Sequence, residues 1–376
     1  MAIQTNESSG FVILNNESTE TLIPALESHL PSSLPILRRI QYDCTHPRQT
    51  AYHVASANIT QSSNNPSDEE PWIAAFINLF AGHETQVVIY SSLEAEVPSV
   101  EYTINNDNGE DIIDFSTISP QRQDIARKQI WSLLQFIHSD LMPEYLAHLS
   151  NSKDQPDGLE QQQKIKVLPK HNPPSFLIGS LHTGLVKLLT TNDSYRNAQF
   201  RPGLKVHRYD TLPYVKYIFA PDIFQTGSDE KSNPLPEGYF YGSEGLKAEH
   251  VDLVKSRTHI PRGRKTLLAI PSVVVYHHSN AEVPIAWAFL AFDGSLATLH
   301  VEPEHRGKGI AATLSREIMR RGMGSGAYGS NSKELGYTHA DVARNNVASR
   351  KVMEKVGGGK GWRWSVTWTV VEVVDE

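Results

Sequence analysis

The block from Leu299 to Leu314, LHVEPEHRGKGIAATL, places a strand, a loop with two glycines and a helix directly after one another. Gly307 and Gly309 permit the tight backbone turn that such a connection requires, and they leave no Cβ between the loop and a ligand. The amides of the loop and of the first helical turn then converge at the positive end of the helix dipole, beside the cations Arg306 and Lys308. The sequence therefore predicts a diphosphate-binding loop at residues 306–311.

A second motif lies downstream of this loop. The segment Asn346–Gly357 reads N-x-x-S-x-x-x-M-x-K-x-G on a predicted helix, and a predicted strand at 338–342 separates it from the loop. Together with VEP at 301–303 and R-x-x-G-x-A at 306–311, it resembles the GNAT acyltransferase superfamily, in the glycine N-acyltransferase-like (FR47-like) branch. The resemblance covers about residues 238–376. Neither the dinucleotide fingerprint G-x-G-x-x-G nor the Walker A fingerprint fits the glycine pair of the block at 299–314.

The resemblance implies an α/β (α+β) GNAT fold, in which helices flank a mixed central sheet. In this branch a degenerate GNAT-like domain often precedes the active one, and Gly179–Val186 is a candidate part of such a domain. The length of 376 residues also indicates two domains, and the Gly-, Ser-, Asp- and Pro-containing segment 222–237 is the best boundary. We predict a poorly ordered N-terminus at 1–30, an N-terminal α/β domain at 31–234 and a C-terminal GNAT N-acyltransferase domain at 235–376.

Apolar periodicity predicts several individual elements. In the first half, Trp72–Phe80 has near-helical spacing, Thr85–Ser91 reads as a buried strand and Arg122–Leu149 has the strongest helical pattern. In the second half, Leu296–Val301 and Trp364–Val374 read as strands, and a helix is predicted from 310 to about 321.

Charge and composition restrict the partners. Residues 235–376 carry 18 basic against 15 acidic side chains, whereas residues 1–234 carry 17 against 27; the basic second half favours an anionic ligand but lacks the dense basic face of a nucleic-acid binder. No apolar stretch approaches the roughly 18 residues that span a bilayer, and the start lacks a signal-peptide pattern. The single cysteine, Cys44, excludes an internal disulfide framework and a Cys-based zinc cluster. We expect a cytoplasmic protein with no nucleic-acid or membrane partner and no metal.

The resemblance implies that acetyl-CoA or another acyl-CoA is the co-substrate. The strands at 296–301 and 338–342 would lie parallel and splay apart at a bulge, and the backbone N–H of Val301 would polarise the thioester carbonyl. The residues expected to contact the pantetheine and the diphosphate are Leu299, His300, Val301, Arg306, Gly307, Lys308, Gly309, Ile310, Ala311, Asn346 and Ser349. For Asn346 and Ser349, helix capping is an open alternative.

The sequence does not identify the general base. Relatives often carry a Glu or His in the first part of the fourth strand, where this chain has Ser295 and Ala297, and a Tyr in the downstream helix, where it has Met353. The remaining candidates are titratable residues nearby: His300, Glu302, Tyr337, Asp293, Tyr328 and His339. Strand alternation places His300 and Glu302 on the face opposite Ser295 and Ala297, unless a bulge breaks that parity.

The predicted activity is direct transfer of an acyl group to the amine of a small molecule or amino acid, in a pocket between the two domains. Two alternatives stay open. A protein lysine or N-terminal acetyltransferase could use the acidic first half to bind a basic peptide. A non-catalytic acyl-CoA-binding module would explain the missing acid and base residues. The sequence does not determine the acyl chain length or the oligomeric state.

Overall fold

The computed structural model describes residues 5–6, 10–61, 70–97, 112–151, 171–223, 234–329, 336–357 and 362–375. The strands are β1 Thr5–Asn6, β2 Phe11–Leu14, β3 Tyr52–Ser56, β4 Ile73–Ile77, β5 Val87–Ser91, β6 Phe176–His182, β7 Leu204–Tyr209, β8 Tyr214–Phe219, β9 Tyr239–Tyr241, β10 Ser272–His277, β11 Ala286–Leu290, β12 Leu296–Val301, β13 Thr338–Ala343 and β14 Trp362–Val373. The α-helices are α1 Asn16–Ser28, α2 Leu34–Thr45, α3 Ala57–Gln61, α4 Pro120–Phe136, α5 Met142–Asn151, α6 Thr183–Leu188, α7 Val251–Lys255, α8 Arg264–Ala269, α9 Ile310–Gly324 and α10 Val347–Val356. None of these helices is long and apolar enough to cross a membrane.

The first half of the chain builds a mixed sheet between two layers of helices. Strands β2 to β5 pair antiparallel in sequence order, and β5 then pairs parallel with β6. Apolar residues of α1 and α2 pack on one face, and those of α4 pack on the other. Strands β4 and β5 are buried at every residue because both faces are covered. The register joins β5 and β6 at Val87 and Ile178 alone, so the two strands diverge beyond this pair.

The second half repeats this arrangement. Strands β9, β10, β11 and β12 form an antiparallel sheet, with apolar residues of α7 and α8 on one face and of α9 and α10 on the other. Between β12 and β13, both of which the structure describes throughout, the recorded pairing is one parallel bridge from Ser295 to His339. These strands therefore diverge as well, toward Val301 and Ala343.

Two strands are exchanged between the halves. Strand β8, from the first half of the chain, lies between β13 and β14. Strand β14, the last of the chain, pairs with β6 on one side and with β7 and β8 on the other. Sheet hydrogen bonds thus cross the predicted boundary near residue 234, which itself stays a prediction.

The structure differs from two expectations in the first half. The sequence predicts poor order at 1–30, but β2 and α1 lie there, because Phe11, Leu22 and Leu26 are buried in the core and Asn15 caps α1 by accepting a hydrogen bond from the Ser18 amide at 2.8 Å. The segment Trp72–Phe80 contains strand β4 instead of a helix. A short apolar run that is buried on both faces fits either periodicity, so its spacing does not discriminate.

Candidate functional site

The loop between β12 and α9 has the open backbone that its glycines predict. Gly307 and Gly309 have φ values of 78° and 83°, in the left-handed region that favours glycine. A Cβ built on either residue would meet no heavy atom within 4 Å. The space above the loop is therefore open to a ligand.

The amides of this loop are unpaired. Within the described part of the chain, no acceptor is recorded for the N–H groups of Gly307, Lys308, Gly309, Ile310, Ala311 and Ala312. The helical ladder begins with the Thr313 amide, which donates to the Gly309 carbonyl at 3.2 Å. Six free donors at the N-terminus of a 15-residue helix form an anion-binding cradle that fits a diphosphate.

Two side chains of the loop, those of Arg306 and Lys308, anchor it to the neighbouring strands β12 and β9. Arg306 Nε donates to the Val301 carbonyl at 2.9 Å and so ties the loop back to β12. Lys308 Nζ donates to the hydroxyl of Tyr239 at 2.7 Å. The same hydroxyl lies 2.9 Å from Nδ1 of His305. Positive charge thus stands beside the free amides.

The gap between β12 and β13 begins at a bulge. His300 is paired with Trp287 and Ala297 with Phe289, so two residues of β12, Thr298 and Leu299, oppose one residue of β11. The Glu302 amide donates to the carbonyl of Ile285, the residue before β11, and alternation along the strand turns the Val301 amide the other way, into the gap. The backbone N–H of Val301, which is predicted to polarise the thioester carbonyl, therefore faces the gap between β12 and β13.

The bulge also decides which way His300 faces. Cross-strand partners share a face, and Trp287 and Phe289 both belong to the core under α7 and α8. His300 and Ala297 therefore face the same side, and the parity that strand alternation predicts is broken. The imidazole of His300 stacks on Trp287 at 4.7 Å between ring centroids.

Charged neighbours hold His300 in a partly buried setting. Its Nε2 lies 3.4 Å from Oε2 of Glu302, and Oε1 of Glu302 accepts from Arg257 Nε at 2.9 Å. Burial lowers the pKa of the His300 imidazole from its usual 6.5, and Glu302 partly offsets that shift. The neutral imidazole that results at pH 7 is the form that can accept a proton.

The other predicted residues lie at different places around the gap. Tyr337 precedes the bridge at His339, at the closed end, where its carbonyl accepts from Arg38. Asn346 caps α10, because its Oδ1 accepts from the Ser349 amide at 3.1 Å, and both residues lie just beyond the open end of β13. Met353 is buried in the core under α9 and α10. The structure therefore brings His300 and Glu302 together and leaves Tyr337 apart from them.

A buried polar cluster joins the two halves, and of its members the sequence singled out only His339 as a candidate. Lys216 Nζ donates to Asp341 at 2.7 Å and to Ser180 Oγ at 2.8 Å, and it lies 3.3 Å from Nδ1 of His339. Lys216 comes from β8, Ser180 from β6, and Asp341 and His339 from β13. The one signal in the sequence is an isolated lysine in the apolar strand YVKYIF.

The first half has a similar gap between its parallel strands β5 and β6, and little space remains in it. A cavity of about 10 Å³ remains there, lined by Glu94, His182, Ser180 and Lys216 among others. Burial raises the pKa of Glu94 to about 8 and lowers that of His182 to about 3. Such a volume holds about one water molecule, so a pantetheine does not fit.

A splayed pair of parallel strands, with a glycine loop and a helix at its open end, is the arrangement of the GNAT acyltransferases. The predicted α/β GNAT fold is confirmed. Residues 9–217 match the family model for the acyl-CoA N-acyltransferase verG N-terminal domain. The match covers more than half of the chain, which therefore belongs to this acyl-CoA N-acyltransferase family.

The chain is also similar to several solved structures. A Drosophila protein has a TM-score of 0.52 at 12% identity, over 97% of this chain and 98% of that one. A tandem GNAT protein from the clavulanic acid biosynthesis pathway has a TM-score of 0.42 at 10% identity, over 97% and 99% of the two chains. A GCN5-related N-acetyltransferase from Sphaerobacter thermophilus has a TM-score of 0.36 at 10% identity, over 82% and 81%. No curated protein matches the sequence.

Proposed function

We propose that this chain transfers an acyl group from acetyl-CoA or another acyl-CoA directly to the amine of a small molecule or an amino acid. The observation that carries the proposal is the set of unpaired amides at 307–312, at the open end of the β12–β13 gap. Family membership supplies the class of donor, and the open cradle fits its diphosphate.

In this proposal the amides of Gly307 to Ala311 bind the diphosphate, and Lys308 adds positive charge beside it. The free edge of β12 at Leu299 to Val301 pairs with the pantetheine, which lies in the gap. Asn346 and Ser349 flank the pantetheine at the start of α10. The Asn346 side chain also caps α10, because its Oδ1 accepts from the Ser349 amide.

The chemical step is one displacement. The amine nitrogen forms a bond to the thioester carbonyl carbon, the carbon–sulfur bond breaks, and coenzyme A leaves as a thiolate, which takes up the proton that the amine gave to His300. The Val301 amide stabilises the negative charge that develops on the carbonyl oxygen. His300 accepts the proton that the amine loses, and Glu302 stabilises the imidazolium that forms.

The choice of His300 rests on its position. It follows the bulge, it lies one residue from the Val301 amide, and it faces the side of the sheet that α7 and α8 cover. Tyr337 precedes β13 and lies at the end of the gap that the Ser295–His339 bridge closes.

The test is a thermal shift with acetyl-CoA, followed by an assay of coenzyme A release with a panel of small amines, amino acids and basic peptides. We expect stabilisation by acetyl-CoA and release with a small amine or amino acid. Release with peptides alone would instead indicate a protein acetyltransferase, and binding without release would indicate a non-catalytic module. The absence of any stabilisation would contradict the proposal.

A further inference from the structure

We propose that Tyr239 is a positioning residue that preorganises the diphosphate loop through its hydroxyl group. This inference rests on the proposed function. The hydroxyl accepts from Lys308 Nζ at 2.7 Å and lies 2.9 Å from His305 Nδ1. One oxygen of the neighbouring strand β9 therefore contacts the loop on both sides of Arg306 and Gly307.

The loop needs such a restraint. Glycine has more backbone freedom to lose than any other residue, and a Cβ built on Gly307 or Gly309 would meet no heavy atom within 4 Å. Lys308 stands between them, so anchoring its side chain limits the orientations of both adjoining peptide groups. A ligand then meets amides that already point into the open space, and less ordering free energy is lost on binding.

Tyr239 is itself firmly placed. It is 8% exposed, and its ring lies 4.8 Å from the ring of His277 and 5.6 Å from that of His305, measured between centroids. Lys308 Nζ lies 5.2 Å from the centroid of the Tyr239 ring, which adds a cation–π contact to the hydrogen bond. The ring is held by packing and the hydroxyl group makes the contacts to the loop, so one substitution that keeps the ring tests the hydroxyl contacts alone.

Tyr239→Phe removes the hydroxyl and keeps the ring. We expect the Kd for coenzyme A and the KM for acetyl-CoA to rise about tenfold, because a hydrogen bond to a charged group is lost, while kcat stays the same. With S-acetyl pantetheine, a donor without the diphosphate, kcat/KM should not change. In a Lys308→Met background the effect of Tyr239→Phe should become much smaller, since both variants break the same contact.

Tyr276→Phe is the matched control. Tyr276 lies on the adjacent strand β10, and its ring packs in the core under α7 and α8, away from the loop. This control should leave both donors unaffected. An equal loss of kcat/KM with both donors in Tyr239→Phe, or an unchanged KM for acetyl-CoA, would overturn the inference. If the unmodified protein binds no coenzyme A, the proposed function fails first and this inference with it.

Discussion

Gly309 lies at the start of α9, in the loop proposed to bind the diphosphate. A side chain at Gly309 would occupy the open space over the loop and would strain a backbone with φ near 83°. We expect Gly309→Leu to lower coenzyme A affinity below detection in calorimetry, with a loss of about 1–2 kcal/mol in the free energy of unfolding.

Gly10→Leu is the control for that strain. Gly10 also has a positive φ, 71°, and open space around it, but it lies in the first half before β2. It should cost a similar free energy of unfolding and leave coenzyme A binding intact. Unchanged affinity in Gly309→Leu would count against the loop as the binding site.

His300 sets the expected pH dependence. Its folded pKa is below 6.5, so the imidazole is neutral at pH 7, and protonation at lower pH removes the base. We expect kcat to fall as the pH drops through that pKa. His300→Gln should lower kcat about a hundredfold or more and abolish this acidic limb, measured with the same acceptor.

Glu302→Gln provides a graded test of the same assignment. Because the Glu302 carboxylate raises the pKa of His300, its removal should move the acidic limb to lower pH. A limb that persists unchanged in His300→Gln would show that another group, or the acceptor amine itself, titrates there.

At the scale of the elements, Lys216 links strands from both halves of the chain. Lys216→Met leaves the buried Asp341 without its cation, which we expect to cost about 3–5 kcal/mol in the free energy of unfolding. The double variant Lys216→Met/Asp341→Leu should recover most of that loss.

Because β8 and β14 are exchanged, urea unfolding followed by tryptophan fluorescence and circular dichroism should give one transition. Two separate transitions, or a loss below about 1 kcal/mol, would contradict this view of the exchange.

The individual elements of the second half could be predicted well from the sequence. Strand β12 has the predicted bounds, and α9 begins at the predicted Ile310. Periodicity and the glycine pair are local signals, and they suffice there. The exchange of β8 and β14 could not be predicted, because strand order depends on pairing between residues far apart in the chain, which one sequence does not reveal.

The same limit applies to the candidate site. The loop and Val301 follow from contiguous motifs, so the sequence could place them. The face of His300 depends on a bulge opposite Ala288, and Tyr239 meets Lys308 only because β9 returns beside the loop. Lys216 reaches Asp341 through the strand exchange. These relations are tertiary, and no local pattern encodes them.

At the scale of the whole molecule, the chain has two similar gaps between parallel strands, β5–β6 and β12–β13, and they differ in their surroundings. The β5–β6 gap is closed by packing: a Cβ on Gly179 would meet Thr85 Cγ2 at 2.5 Å and Trp368 Nε1 at 2.9 Å. In the β12–β13 gap no pairing is recorded beyond the Ser295–His339 bridge, and the glycine loop follows β12 at the far end. We therefore expect one coenzyme A to bind per chain in calorimetry, and none in Gly309→Leu. A stoichiometry of two would show that the first half binds the ligand as well.

The central claim is that the amides at 307–311 bind the diphosphate and thereby place a thioester between β12 and β13. A crystal structure of the complex with coenzyme A tests it most directly. We expect diphosphate oxygens within hydrogen-bond distance of those amides and a pantetheine along the edge of β12 at Leu299–Val301. Coenzyme A bound elsewhere, or a β12–β13 gap that the ligand does not enter, would contradict it.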